Sequence, residues 1–135
     1  MSDDDPLTQD PTNREAAADS DGQLDHDELV EQLGGDLHMA KELVSLFLGE
    51  WPGEFEKVRR GVESGSAEAV KMAAHTLKGV IGNFSRGPSM HTAGKLEAMA
   101  RGGSLAGTAE LVTALDRQLR ALDADLRRFL SSNPR

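Results

Sequence analysis

Cysteine is missing from this chain, and with it disulfides and thiolate metal sites. That suits a reducing compartment. No apolar run approaches the roughly 20 residues that span a bilayer. No charged-then-apolar leader opens the chain. These absences set the expectation of a soluble, cytoplasmic protein without membrane contact. No stretch alternates like a strand between hairpin turns, and no internal repeat is visible. Glu-x-x-His pairs, the mark of a metal-binding bundle, are absent, so no metal site is expected. Gly102-Gly103-Ser104 lacks the lysine and preceding strand of a phosphate-binding loop, which argues against a kinase acting alone.

Basic stripes are missing too, which argues against nucleic acid as a partner. The net charge of −8 is unevenly spread. Residues 1–31 hold eleven acidic residues against one basic, Arg14, whereas residues 32–135 hold twelve acidic against fourteen basic. Residues 1–22 are acidic and nearly free of large apolar side chains. Such a segment cannot bury enough surface to offset its ordering entropy, so a disordered tail is expected there. A helical domain is expected over residues 24–130, with a flexible end over 131–135. The Met1 start and polar C-terminal end favour a free-standing protein.

What is present is helical. Asp25 can cap a first short helix, with Glu28 at the capping-box position and Leu24 and Leu29 as a staple. Gly34-Gly35 ends it. Asp36 caps a second helix, about 36–63, in which Leu37, Ala40, Leu43, Val44, Phe47, Trp51, Phe55, Val58 and Val62 recur every three or four residues. Pro52 should bend that helix without ending it, because the apolar phase runs through unbroken. Ser66 caps a third helix, about 67–85. A fourth spans about 89–101, with Met90, Ala93, Leu96, Met99 and Ala100 inward. Ser104 can cap a fifth, striped by Leu111, Leu115, Leu119, Leu122, Leu126 and Phe129. The expected fold is all-α: an antiparallel up-down four-helix bundle with a short extra N-terminal helix.

The third helix carries the chemistry. At about 100° per residue, Val70, Ala73, Leu77, Val80 and Phe84 fall opposite His75. Glu68, Lys71, Met72, Lys78, Gly79, Gly82 and Arg86 fall within roughly 60° of it. His75 therefore points outward. A neutral imidazole offers a ring lone pair, and Lys78 can bring an ammonium to phosphoryl oxygens. Glycine in an exposed helix costs about 1 kcal/mol against alanine, so Gly79 and Gly82 call for a reason beyond folding. Close approach of a partner is one. Met72 is a candidate apolar rim of that face. His26, His38 and His91 read as surface or structural residues.

His75-Thr76-Leu77-Lys78-Gly79 resembles the H-x-L-K-G signature of histidine-containing phosphotransfer (HPt) domains of two-component phosphorelays. The resemblance runs from about Leu24 to Leu130. It takes in Leu33-Gly34-Gly35-Asp36, Leu46-Phe47-Leu48 with Pro52, Ala73-Ala74, Gly82-Asn83-Phe84 and Leu96-Glu97-Ala98-Met99-Ala100. It implies a phosphocarrier rather than an autonomous enzyme. His75 would take a phosphoryl group from the aspartate of a response-regulator receiver domain and pass it to another. Lys78 would steady the phosphoryl charge, and Gly79, Gly82, Lys71, Met72 and Arg86 would form the docking face. It implies no cofactor of its own, Mg2+ on the partner receiver, and receivers or a hybrid histidine kinase as partners of a monomer. Val80, Ile81 and Ser85-Arg86 depart from the family pattern: altered core packing rather than lost activity is expected at Val80 and Ile81, and an effect on partner choice at Arg86 on the docking face. The competing reading is a non-catalytic helical module that binds or sequesters a response regulator.

Overall fold

The structure, a computed structural model, describes residues 21–133. The expected acidic tail lies outside them except for Asp21 and Gly22. The described residues contain five helices and no strand: α1 (His26–Gln32), α2 (Leu37–Ser64), α3 (Ala67–Ile81), α4 (Pro88–Arg101) and α5 (Thr108–Ser132). None is long and apolar enough to cross a membrane.

Caps read from the sequence fix the first three starts. The side chains of Asp25, Asp36 and Ser66 accept the backbone N–H groups of Glu28, Met39 and Ala69, each at 3.1 Å. α2 runs unbroken through Pro52. It ends on Gly65, whose left-handed φ of 74° favours glycine. Gly61 sets the crossing of α2 and α3. A Cβ there would lie 2.8 Å from Val70 Cγ2, so only glycine lets the backbones approach this closely.

Each long helix packs on the next, and α5 closes the ring against α2. Short connections make consecutive neighbours antiparallel. Val44, Val58, Val70, Leu77, Ile81, Leu96, Leu115, Leu119, Leu122 and Leu126 are sealed from solvent at the centre. Each such side chain is worth about 1.5–3 kcal/mol of burial. α1 lies across one end, held by Leu29 in the core and by Asp125 of α5. That carboxylate accepts Leu24 N–H at 2.9 Å and pairs with His26 at 3.2 Å and Arg128 at 3.0 Å.

Four local expectations are corrected. α3 stops at Ile81 rather than near residue 85. Phe84 still reaches the core, packing on Phe47 with ring centres 4.9 Å apart, but through a turn. α5 begins at Thr108, not after Ser104, because Ser104 Oγ is used within the loop by Ala106 N–H. Leu37 is partly exposed at the start of α2 instead of facing the core. Asp21 is buried rather than part of a tail. It accepts Ser85 Oγ at 2.8 Å, Ser89 N–H at 3.0 Å and Ser89 Oγ at 2.6 Å. Gly87, the residue before α4, has no side chain to cap with, so Asp21 supplies the cap from across the chain.

Candidate functional site

His75 sits in the middle of α3, with its ring 69 % exposed. Its outward direction follows from the stripe beneath it: Ala73, Ala74 and Leu77 are buried against the bundle. The ring does not float in solvent. Its Nδ1 lies 2.9 Å from Oε2 of Glu97 on the neighbouring helix α4.

Glu97 organises the site. It is 2 % exposed, an uncommon state for a carboxylate. Lys78 Nζ lies 2.9 Å from its Oε1, and Arg101 donates to Oε2 at 2.7 Å. The Lys78 ammonium is the main influence on its acidity. Together with His75 and Arg101 it overrides the burial penalty and lowers the carboxyl from 4.5 to about 2. At neutral pH Glu97 is therefore a pure acceptor. The hydrogen in the contact with His75 must then sit on Nδ1, which in a neutral ring leaves the lone pair on Nε2.

The Lys78 stem reaches Glu97 by passing over Gly94 of α4. Gly94 lies one turn before Glu97, and the stem passes 3.5 Å from where its Cβ would be. The stem crosses α4 at a position without a side chain. Lys78 is thus bound to Glu97 in this state rather than standing free on the helix face.

The remaining expected residues divide. Gly79 is exposed, with nothing within 4 Å of a would-be Cβ, so the surface one turn beyond His75 is open. Met72 is 60 % exposed beside His75. With Ala73 and Thr76 it borders a groove of about 410 Å³ between α2 and α3, edged by Glu54, Lys57 and Arg60. Lys71 pairs with Glu68 on the same helix at 3.2 Å. Gly82 has an internal reason for its missing side chain: a Cβ would lie 3.3 Å from Met90 Sδ. Arg86 is not on the His75 face. With α3 ending at Ile81, the turn carries Arg86 to a cleft of about 470 Å³ shared with Asp25, Glu28 and Glu31 at α1. His26 edges onto Phe129, His38 pairs with Glu42 in solvent, and His91 is exposed.

Glu97 and Arg101 are the site residues that helical projection around His75 leaves out. One signal for Glu97 was available. Ala93, Leu96, Glu97 and Ala100 fall at core spacing along α4, so a carboxylate stands inside an apolar stripe. Arg101 follows it by one turn, the usual reach of an ion pair on a helix.

The architecture is a helical bundle: four antiparallel helices, a short N-terminal fifth, and an imidazole held on an open face. The chain belongs to the Hpt domain family, whose model matches residues 42–125, more than half its length. No curated protein and no solved structure matches it. Hpt domains serve phosphotransfer in two-component signalling. They are phosphocarriers rather than autonomous enzymes, and they interact with receiver domains and histidine kinases.

Proposed function

We propose that His75 accepts a phosphoryl group on Nε2 from the aspartyl phosphate of a receiver domain and passes it to another receiver. The Nε2 lone pair attacks phosphorus. The P–N bond forms as the bond to the aspartyl oxygen breaks, and the electron pair leaves on the aspartate carboxylate. The ring keeps its Nδ1 proton, directed at Glu97. The observation that carries this reading is the pairing of an exposed imidazole with a buried, ionised carboxylate, which leaves Nε2 as the nucleophile.

Phosphoryl transfer asks a protein mainly for positioning and charge stabilisation. Lys78 and Arg101, both within reach of Glu97, supply positive charge beside the ring. Mg2+ belongs on the receiver in this reading. The open surface at Gly79 admits the partner, and Met72 and its groove give it an apolar footing. The protein works as a cytoplasmic monomer between its partners.

The test is incubation of the full chain with a phosphorylated receiver. Acid-labile, base-stable phosphate should map to His75 and be absent from His75→Ala. A receiver that binds without transferring phosphate would favour the sequestering module instead.

A further inference from the structure

Charge is divided unevenly among the five described helices. α3 carries Lys71 and Lys78 against Glu68, and α4 carries Lys95 and Arg101 against Glu97. These are the two helices with an excess of positive charge. α5 is balanced at four acidic and four basic residues, and α2 holds five acidic against four basic. α1 holds Asp27, Glu28 and Glu31 and no lysine or arginine. The positive excess gathers where α3 and α4 meet. Lys78 and Arg101 share the single carboxylate of Glu97, and Lys95 is exposed and joins no ion pair among the described residues.

A strongly acidic stretch starts beside that junction. Residues 1–20 hold Asp3, Asp4, Asp5, Asp10, Glu15 and Asp19 against Arg14 alone. They join the described fold at Asp21, which is buried and held by Ser85 Oγ and by both donors of Ser89 at the turn between α3 and α4. From Asp21 the chain crosses to α5, where Gly22 O accepts Arg128 at 2.9 Å and Leu24 N–H meets Asp125. The chain before Asp21 therefore starts from the α3–α4 turn. His75 lies six residues before the end of α3, and Glu97 lies eight beyond Ser89. The site is thus about 9–12 Å along the bundle from this anchor. The chain from Asp10 to Asp21 can span up to about 36 Å, so its reach is ample.

We propose that the acidic stretch from Asp3 to Asp19 docks on the cationic junction of α3 and α4 in its own chain, over His75, Lys78, Lys95 and Arg101, and there competes with the receiver. The competition rests on the reading of His75 as the phosphoryl acceptor; the docking does not. Three observations choose this occupant. The signs match: cations that suit phosphoryl oxygens attract carboxylates for the same reason. The direction matches too. On the other side of the anchor, Asp25, Glu28 and Glu31 outnumber Arg86 along the cleft at α1, so an acidic chain is repelled there and drawn to the α3–α4 side. Finally, the buried Asp21 is a tether. Attachment by a short linker gives an effective concentration on the order of millimolar, at which weak charge attraction without a fixed conformation is enough.

The docking is tested without a receiver. The chain has no cysteine, so Thr8→Cys gives a single attachment point for a nitroxide spin label. Amide NMR of the labelled full-length chain then reads which helices lie near residue 8. Broadening should be strongest from His75 to Gly79 and from Lys95 to Arg101, and weaker along α2 and α5. It should be lost from these residues in about 0.5 M salt, where charges are screened within about 4 Å. The same loss is expected in a chain of equal length that carries Asp3→Asn, Asp4→Asn, Asp5→Asn and Asp10→Asn, which shows what the tether alone produces. Broadening centred on α1, α2 or α5, or a pattern that neutralisation leaves unchanged, would overturn the proposal.

A second measurement reads the competition. Receiver binding is compared by calorimetry for the full chain and for a chain lacking residues 1–18. In about 50 mM salt the shortened chain should bind at least about threefold more tightly, and in about 0.5 M salt the two should agree. Equal affinities at low salt would overturn the proposal. So would tighter binding by the full chain, which would make the stretch a contact for the receiver instead. The two readings fail separately. If the label reports docking on α3 and α4 but no receiver exchanges phosphate with His75, the relay reading falls and the docking stands. If receivers exchange phosphate and the label shows no preference for α3 and α4, the reverse holds.

Discussion

Glu97 and His75, twenty-two residues apart on antiparallel helices, meet with Oε2 2.9 Å from Nδ1. The carboxylate is inside the protein and the ring outside it. This contact decides which nitrogen of the ring is free to react, and the site follows from it.

Removing the ring should remove the chemistry and little else. His75→Ala is expected to abolish phosphoryl acceptance from any receiver. It should cost about 1 kcal/mol, the worth of one hydrogen bond to Glu97. Helicity by circular dichroism should be unchanged. Retained phosphorylation in this variant would remove His75 as the acceptor.

Lys78→Ala should act on both rate and stability. Glu97 keeps two of its three partners, so the cost is about 1–2 kcal/mol rather than that of a fully stranded buried charge. Transfer to and from a receiver should slow by about tenfold, because one cation beside the phosphoryl oxygens is lost. Rapid-quench transfer assays and urea denaturation read the two effects separately. Native transfer rates would show that Lys78 serves only to hold Glu97.

Stability should fall in acid through Glu97. Its carboxyl ionises at about 2 in the folded chain against 4.5 when unperturbed. A lowered folded value means the stabilisation is complete above the unfolded value and disappears as pH falls through the folded one. Between about pH 4.5 and about pH 2 the native chain should lose up to about 3 kcal/mol from this group, a loss that Glu97→Gln does not share. Urea midpoints at several pH values check it. Parallel acid profiles for the two proteins would contradict it.

Gly79 and Gly82 should respond in opposite ways to leucine. Nothing surrounds a side chain at Gly79, so Gly79→Leu should fold with native or slightly higher stability, gaining up to about 1 kcal/mol in helix propensity. Receiver binding should nevertheless weaken at least about tenfold, because the added side chain fills the approach beside His75. Gly82→Leu should instead lose about 1–3 kcal/mol against Met90. Calorimetry for binding and thermal melts for folding distinguish the two. Unimpaired binding by Gly79→Leu would place the partner elsewhere.

Asp21 should matter to folding despite lying beside the acidic N-terminal stretch. Asp21→Ala leaves the buried donors of Ser89 without their acceptor and α4 without its borrowed cap, at about 2 kcal/mol or more. A truncation that begins after Asp21 should show the same loss in urea, whereas removal of residues 1–18 should not. Equal stability of all three chains would deny the cap its role.

The helices and the outward direction of His75 were legible in the sequence because their causes are local. Caps at Asp25, Asp36 and Ser66 act three residues ahead, and apolar periodicity fixes which face is buried. The stripe through Trp51 and Phe55 overrode the proline between them, and α2 is continuous. Where α3 ends was not legible. Phe84 keeps the helical phase while entering the core through a turn, and the projection that put Arg86 beside His75 fails with it.

What the sequence by itself determined is a histidine on the open face of an amphipathic helix in a bundle. Only the tertiary structure decided that a carboxylate on another helix orients that histidine, that Lys78 is held by that carboxylate across Gly94, and that Asp21 caps a helix sixty-eight residues away. The physical reason is the same in each case. A local pattern reports which face of a helix is apolar, but a buried charge is tolerable only with its partners in place, and those partners are brought together by helix packing rather than by spacing along the chain.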